Sequence, residues 1–170
     1  MASDTTQRDR TIKLAKTDVY AALEIAETIG NPWFRVQAYS GIMRFNPSRA
    51  RDLTIQATRA AAKCVDEFER VAVCAWIVAA LAEIDHADTA RDILHNALRQ
   101  SRSIPHDGSR AEALMLLLEA ASTLGDQDQE AVLNEVNEAC QDASHWRCKR
   151  ALRDAAAIRE GTQAARSFFG

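Results

Sequence analysis

A chain of 170 residues is the length of one domain, and it can bury a sizeable core without disulfide or metal staples. A net charge of −3, from 21 Lys and Arg against 24 Asp and Glu, gives no bulk reason to expect a nucleic-acid partner. A composition of 47% hydrophobic and 26% charged residues excludes wholesale disorder, and only three Pro and six Gly argue against a turn-rich all-β fold. The longest apolar run, Val71 to Ala82, falls well short of the roughly 20 residues of a membrane span and reads as a buried helix. No apolar segment follows the charges of residues 1–10, so no secretory signal is expected and the chain reads as cytoplasmic.

In chain order, residues 1–10 read as a flexible tail, 11–160 as a single helical-repeat domain and 161–170 as a C-terminal tail. Gly30 follows the apolar series Leu23, Ala26, Ile29 and suits a left-handed helix end. Asn31-Pro32 restarts a helix, with Asn as N-cap and Pro in the first turn, and Asn46-Pro47-Ser48 does so again. Asp66 with Glu69, and Ser109 with Glu112, have capping-box spacing. Leu124-Gly125-Asp126 is a stop followed by a start, and Ser144 is the expected last N-cap. These signals predict eight helices, at 11–29, 32–45, 48–64, 67–85, 88–102, 109–124, 128–142 and 145–160. The short connections predict antiparallel packing of neighbours.

The helices repeat in pairs. Arg35, Arg70, Arg110 and Arg147 each open an even-numbered helix, separated by 35, 40 and 37 residues. Apolar pairs follow the first three at one phase: Ile42-Met43, Ile77-Val78 and Leu117-Leu118. In the odd helices, Ala50-Arg-Asp-Leu-Thr-Ile-Gln-Ala57 and Ala90-Arg-Asp-Ile-Leu-His-Asn-Ala97 match 40 residues apart. The fourth unit is degenerate, with Asp154 at an apolar position, as a terminal repeat can be.

The stretch Ala111-Glu-Ala-Leu-Met-Leu-Leu-Leu-Glu-Ala-Ala-Ser-Thr-Leu-Gly-Asp126, followed by Ala131, resembles a tetratricopeptide (TPR) repeat. Ala72 to Leu98 resembles it too, and Arg35 to Ala60 matches more loosely, so the resemblance covers roughly residues 32–142. It departs from the family in lacking most of the usual aromatic positions and in the length of its units; a HEAT-like repeat is the rival. The resemblance implies an all-α fold: a right-handed α-α superhelix (solenoid) of about eight antiparallel helices in four hairpins. It also implies a function, a non-enzymatic adaptor or scaffold whose concave face binds a peptide, a helix or another subunit. In that family the first helix of each unit lines the concave side. The partner-binding residues implied here are Gln37 and Arg44, Ala75 and Ala79, and Glu112, Met115 and Glu119. The partner is a protein or peptide, with a homodimer as a further option; no membrane, nucleic acid, cofactor or metal is expected.

The fourth predicted helix has a physical reading of its own. Between Val71 and Ile84 its only charged residue is Glu83, and a helix apolar all round must be covered all round. The stripe Ala72, Ala75, Ala79, Ala82 therefore needs a cover. The choices are the superhelix itself, the tail Ser167-Phe168-Phe169, a second copy, or a partner helix. Charge is uneven further on: residues 126–142 carry −6 and residues 145–170 carry +4, and neutralisation along a shared helix edge is the expected reason.

No catalytic constellation is visible. There is no glycine-rich phosphate loop and no H-E-x-x-H, and Glu83-Ile-Asp-His86 is a single E-x-x-H at a helix end, where His86 suits the C-terminal dipole. None of Cys64, Cys74, Cys140 and Cys148 forms a C-x-x-C pair; each spacing straddles a turn, so pairing is geometrically open, but buried reduced thiols are expected. Trp33 and Trp146 precede repeat arginines and read as anchors for helix ends. The alternative function is a small-ligand protein or an enzyme whose site assembles only in three dimensions.

Overall fold

The computed structural model describes residues 2–170, and every regular element among them is helical. The helices are α1 Asp4–Leu14, α2 Val19–Thr28, α3 Pro32–Phe45, α4 Ala50–Ala61, α5 Glu67–Ala72, α6 Cys74–Glu83, α7 Ala87–Ser101, α8 Asp107–Ala121, α9 Asp126–Cys140 and α10 Trp146–Arg159. A short 3-10 turn, Pro47–Arg49, leads into α4. The expected helix 67–85 is broken at Val73 into α5 and α6.

Several starts follow the sequence chemistry. The Asn31 side chain accepts the Trp33 N–H at 2.9 Å, with Pro32 in the first turn of α3. Asp66 accepts the Glu69 N–H at 2.8 Å, while the Glu69 carboxylate reaches back to the Val65 N–H at 3.2 Å. Gly125, at φ 133°, makes the turn into α9 that a side chain would resist. Other starts differ. α8 begins at Asp107, so Ser109 and Glu112 lie inside the helix and form no capping box. The last N-cap is His145, not Ser144; its Nδ1 accepts the Arg147 N–H at 3.2 Å. His86 stands at the start of α7 rather than in a C-terminal turn, after Asp85 turns the chain at φ 60°.

The N-terminal reading needs the largest correction. Residues 4–10 are helix, not flexible tail, and the expected helix 11–29 is two helices that meet at 15–18. Asp18 caps α2 by accepting the Ala21 N–H at 3.0 Å. Gly30 takes no left-handed conformation; its N–H and that of Asn31 donate to the Asp4 carboxylate at 3.2 and 2.9 Å. α1 is thereby fastened to the start of α3.

Helices in contact form a chain of neighbours. α1 packs on α3, α3 on α6, α6 on α8 and α8 on α10; α2, α4, α7 and α9 each pack on the helix before them in this row. One continuous core results, with Ile42, Met43, Ile77, Leu114 and Leu117 fully buried. Gly41 of α3 lets α1 approach: a Cβ there would fall on Ile12 Cγ1 and lie 3.0 Å from Cδ1. We expect Gly41→Val to destabilise the fold by ~1–3 kcal/mol, which outweighs a few tenths gained in helix propensity. Urea unfolding checks this, and an unchanged midpoint would contradict the docking of α1 on α3.

The acidic segment 126–142 is not neutralised mainly by α10. Asp128 pairs with Arg91 at 3.0 Å, and Glu135 pairs with Arg102 and Arg110 at 2.5 and 2.8 Å, all from α7, its C-cap or α8. The α9–α10 edge contributes Arg159 to Glu130 at 3.6 Å.

Candidate functional site

The row α3, α6, α8 carries the seven residues that the resemblance implies for partner binding, and their surroundings differ sharply. Gln37 is buried, and its Oε1 accepts a hydrogen bond from the Arg8 guanidinium of α1 at 2.7 Å. Ser40, one turn on, is also buried. Ala75 and Ala79 are 0% and 7% exposed, because α6 packs against α3, α4, α7 and α8. As placed, Gln37, Ala75 and Ala79 offer a partner almost no surface. Arg44, Glu112, Met115 and Glu119 are half-buried, along a line from α3 to α8.

That line is not empty. The segment after α10 forms no helix and runs back over α8, α6 and α3. Arg166 meets Glu119 of α8 at 3.3 Å. The Trp76 indole N–H of α6 donates to the Phe168 carbonyl at 3.2 Å. The Phe168 ring stands edge-on to the Trp76 ring at 5.2 Å, and Trp33 of α3 stands edge-on to its other side at 5.4 Å. Arg44 lies 4.2 Å from the centre of the Phe169 ring, while its guanidinium also pairs with Glu83. Thus a main-chain carbonyl, two aromatic rings and one cation of a non-helical segment are met by three side chains on the row, Trp76 taking both the Phe168 carbonyl and its ring. Trp33 is an anchor, as the sequence suggests, but its neighbour is Trp76 rather than its own helix end.

Two hollows flank the segment. One, of about 360 Å³, lies between α8 and α10 and is lined by Met115, Glu112, Glu119, Arg150, Asp154 and Arg166 among others. Glu112 here binds Arg147 and Arg150 at 3.3 and 3.4 Å. Burial raises the Glu119 carboxyl above the ordinary carboxylate range; Arg166 opposes that shift and Asp154 adds to it. The folded state therefore binds a proton on Glu119 more readily than the unfolded chain does, and stability falls as pH rises from the ordinary carboxylate range through the raised value. Arg166 is the cation that offsets this cost. The other hollow, about 290 Å³, opens beside Arg8, Gln37, Trp76, Phe168 and Phe169.

The remaining chemistry-bearing residues stand apart from this line. All four cysteines are buried and free. Burial pushes Cys64 up to about 11 and Cys74 up to about 12. Burial and a hydrogen bond with the Cys148 thiol push Cys140 up to about 12. Thiols so far above neutrality stay protonated and are poor nucleophiles. Glu83 of the E-x-x-H is taken up by Arg44. Trp146 is 59% exposed and is no buried anchor; the Arg150 guanidinium lies 5.1 Å from its ring.

Trp76 and Arg166 are the site residues that the sequence does not single out; Phe169 enters there only as part of the tail Ser167-Phe168-Phe169 that could cover the alanine stripe. Trp76 lies three residues before Ala79 in α6, so it stands on the same side of that helix. Phe168-Phe169 is an aromatic pair in a chain with few aromatics, a compositional signal and not a periodic one. No helix among the described residues is long and apolar enough to cross a membrane. No family model, curated protein or solved structure matches the chain.

Proposed function

We propose that this chain is a non-enzymatic interaction module, a tetratricopeptide-like α-solenoid whose concave face, along α3, α6 and α8, holds an extended protein segment. The contact order α1–α3–α6–α8–α10 supports the superhelical reading, since each row helix touches the next. One observation carries the functional reading: the face already holds a non-helical segment, residues 166–169, through contacts that do not require it to belong to the same chain. Trp76 reads a backbone carbonyl, its ring packs an aromatic side chain, and Arg44 covers a second one. Aromatic and Arg anchors of this kind carry most of the energy in peptide and protein recognition. The module fits a cytoplasmic adaptor with a protein or peptide partner.

The test uses the full chain carrying Phe168→Ala and Phe169→Ala, which removes both rings from the face without shortening the protein. A fluorescently labelled octapeptide of residues 163–170 is titrated with this variant and followed by anisotropy. Saturable binding, absent for a scrambled octapeptide, is the expected result. No binding up to ~1 mM would contradict the reading.

A further inference from the structure

The segment seated on the face also describes its partner. We infer that the module's partner is a protein presenting an extended segment with a basic residue two positions before an aromatic pair, and that residues 166–169 occupy its place as an intramolecular strap. This inference rests on the peptide-binding reading above and adds a specificity and a regulation to it.

The specificity follows from three separated contacts. Glu119 is 17% exposed at its side chain and takes the Arg166 guanidinium at 3.3 Å; a segment without a cation there leaves a largely buried carboxylate with Asp154 also nearby. Two residues later the Phe168 carbonyl and ring both engage Trp76. The next ring, Phe169, lies under Arg44, which Glu83 holds in place. Helix α8 thus selects the cation, α6 the first aromatic and α3 the second. The order of the row sets the direction of the segment. Another exposed aromatic beside a cation, Trp146 next to Arg150, has no such set of complementary contacts.

The regulation follows from the tether. α10 ends at Arg159, and only residues 160–165 separate it from Arg166. A tether this short presents the strap at an effective concentration in the ~mM range. A partner segment of the same chemistry must compete with it, so the closed chain binds more weakly than the opened one by about 10-fold or more. A segment that satisfies Glu119, Trp76 and Arg44 better than Arg-Ser-Phe-Phe displaces the strap.

The experiment compares wild type with the full-length Phe168→Ala, Phe169→Ala variant against three octapeptides of residues 163–170: the native sequence, one with Arg166→Glu, and one with Phe168→Ala. The native peptide is expected to bind the opened chain at least about 10-fold more tightly than wild type, and each altered peptide to lose about 10-fold on the opened chain. Adding Glu119→Arg to the opened chain should restore the Arg166→Glu peptide and weaken the native one, a reciprocal exchange that general loss of fold cannot produce. Equal binding of all three peptides to the opened chain would overturn the specificity and leave the peptide-binding reading standing. Equal affinity of wild type and the opened chain for the native peptide would overturn the strap. Exchange of straps between copies, seen as a concentration-dependent dimer of wild type that the double variant loses, would make the second copy the partner and also overturn the inference. Failure of the opened chain to bind any peptide would remove the underlying reading itself.

Discussion

Ala75→Glu is expected to destabilise the fold severely. Ala75 is 0% exposed in α6, a helix packed on four others, so a glutamate there must force its neighbours apart and bury a carboxylate that has no partner. The combined cost is about 4 kcal/mol or more, a large part of the ~5–15 kcal/mol that holds a domain together. A fall in melting temperature of about 10 °C or more is expected for a chain of this size, read by circular dichroism. Trp146→Ala, at a 59% exposed site, serves as the control and should leave the transition in place. A well-folded Ala75→Glu variant with an unchanged transition would place Ala75 on an open face. Ala72, Ala75 and Ala79 of the stripe are therefore core, while Ala82 is half-buried and the neighbouring Trp76 carries the Phe168 contact.

Glu135→Ala comes next in size. The Glu135 carboxylate is nearly buried between Arg102 and Arg110, and the Arg110 side chain is itself only 12% exposed. Removing the carboxylate leaves a buried guanidinium with Glu138 at 3.9 Å as its remaining acid, and the expected loss is ~3–5 kcal/mol. Arg102 is 58% exposed, so Arg102→Ala should cost far less than Glu135→Ala. The pair also sets a pH dependence. Burial pushes the Glu135 carboxyl up, but hydrogen bonds from Arg102 and Arg110 and their charges outweigh it, so the net shift is downward. A depressed folded value means the contribution is whole above the ordinary carboxylate pKa of about 4.3, and is lost as pH falls through the lower folded value. Urea midpoints measured from pH 7 down to 3 should show this acid-side loss in wild type, and a smaller one in Glu135→Gln. Parallel curves would contradict the assignment.

Much of the helical frame is legible in the sequence because its signals are local. Asn31-Pro32 marks the start of α3, and Leu124-Gly125 marks the turn into α9. What is not legible has a common cause. The α1–α2 turn carries no Gly or Pro, and only Asp18 as a cap betrays it. The break at Val73 lies in an all-apolar stretch where no residue interrupts the pattern. For the site, helical register places Arg44 and Glu119 on one accessible line, but their partners arrive from far along the chain: Glu83 to Arg44, Phe169 to Arg44, Arg166 to Glu119. Gln37 is on the expected face yet is closed off by Arg8, from a segment whose high charge masks its helix. Periodicity reports which way a side chain points, not which distant segment comes to lie on it.

The Phe168-Phe169 segment on the face along α3, α6 and α8 stands against Trp76. The most direct measurement is the indole N–H resonance of Trp76 in the nitrogen-15 spectrum, assigned by Trp76→Phe. In wild type this proton donates to the Phe168 carbonyl and sits beside its ring. Its resonance should move when Phe168 and Phe169 become alanine, and move back toward the wild-type position when the native octapeptide is added. A resonance that ignores both the substitutions and the peptide would contradict the account.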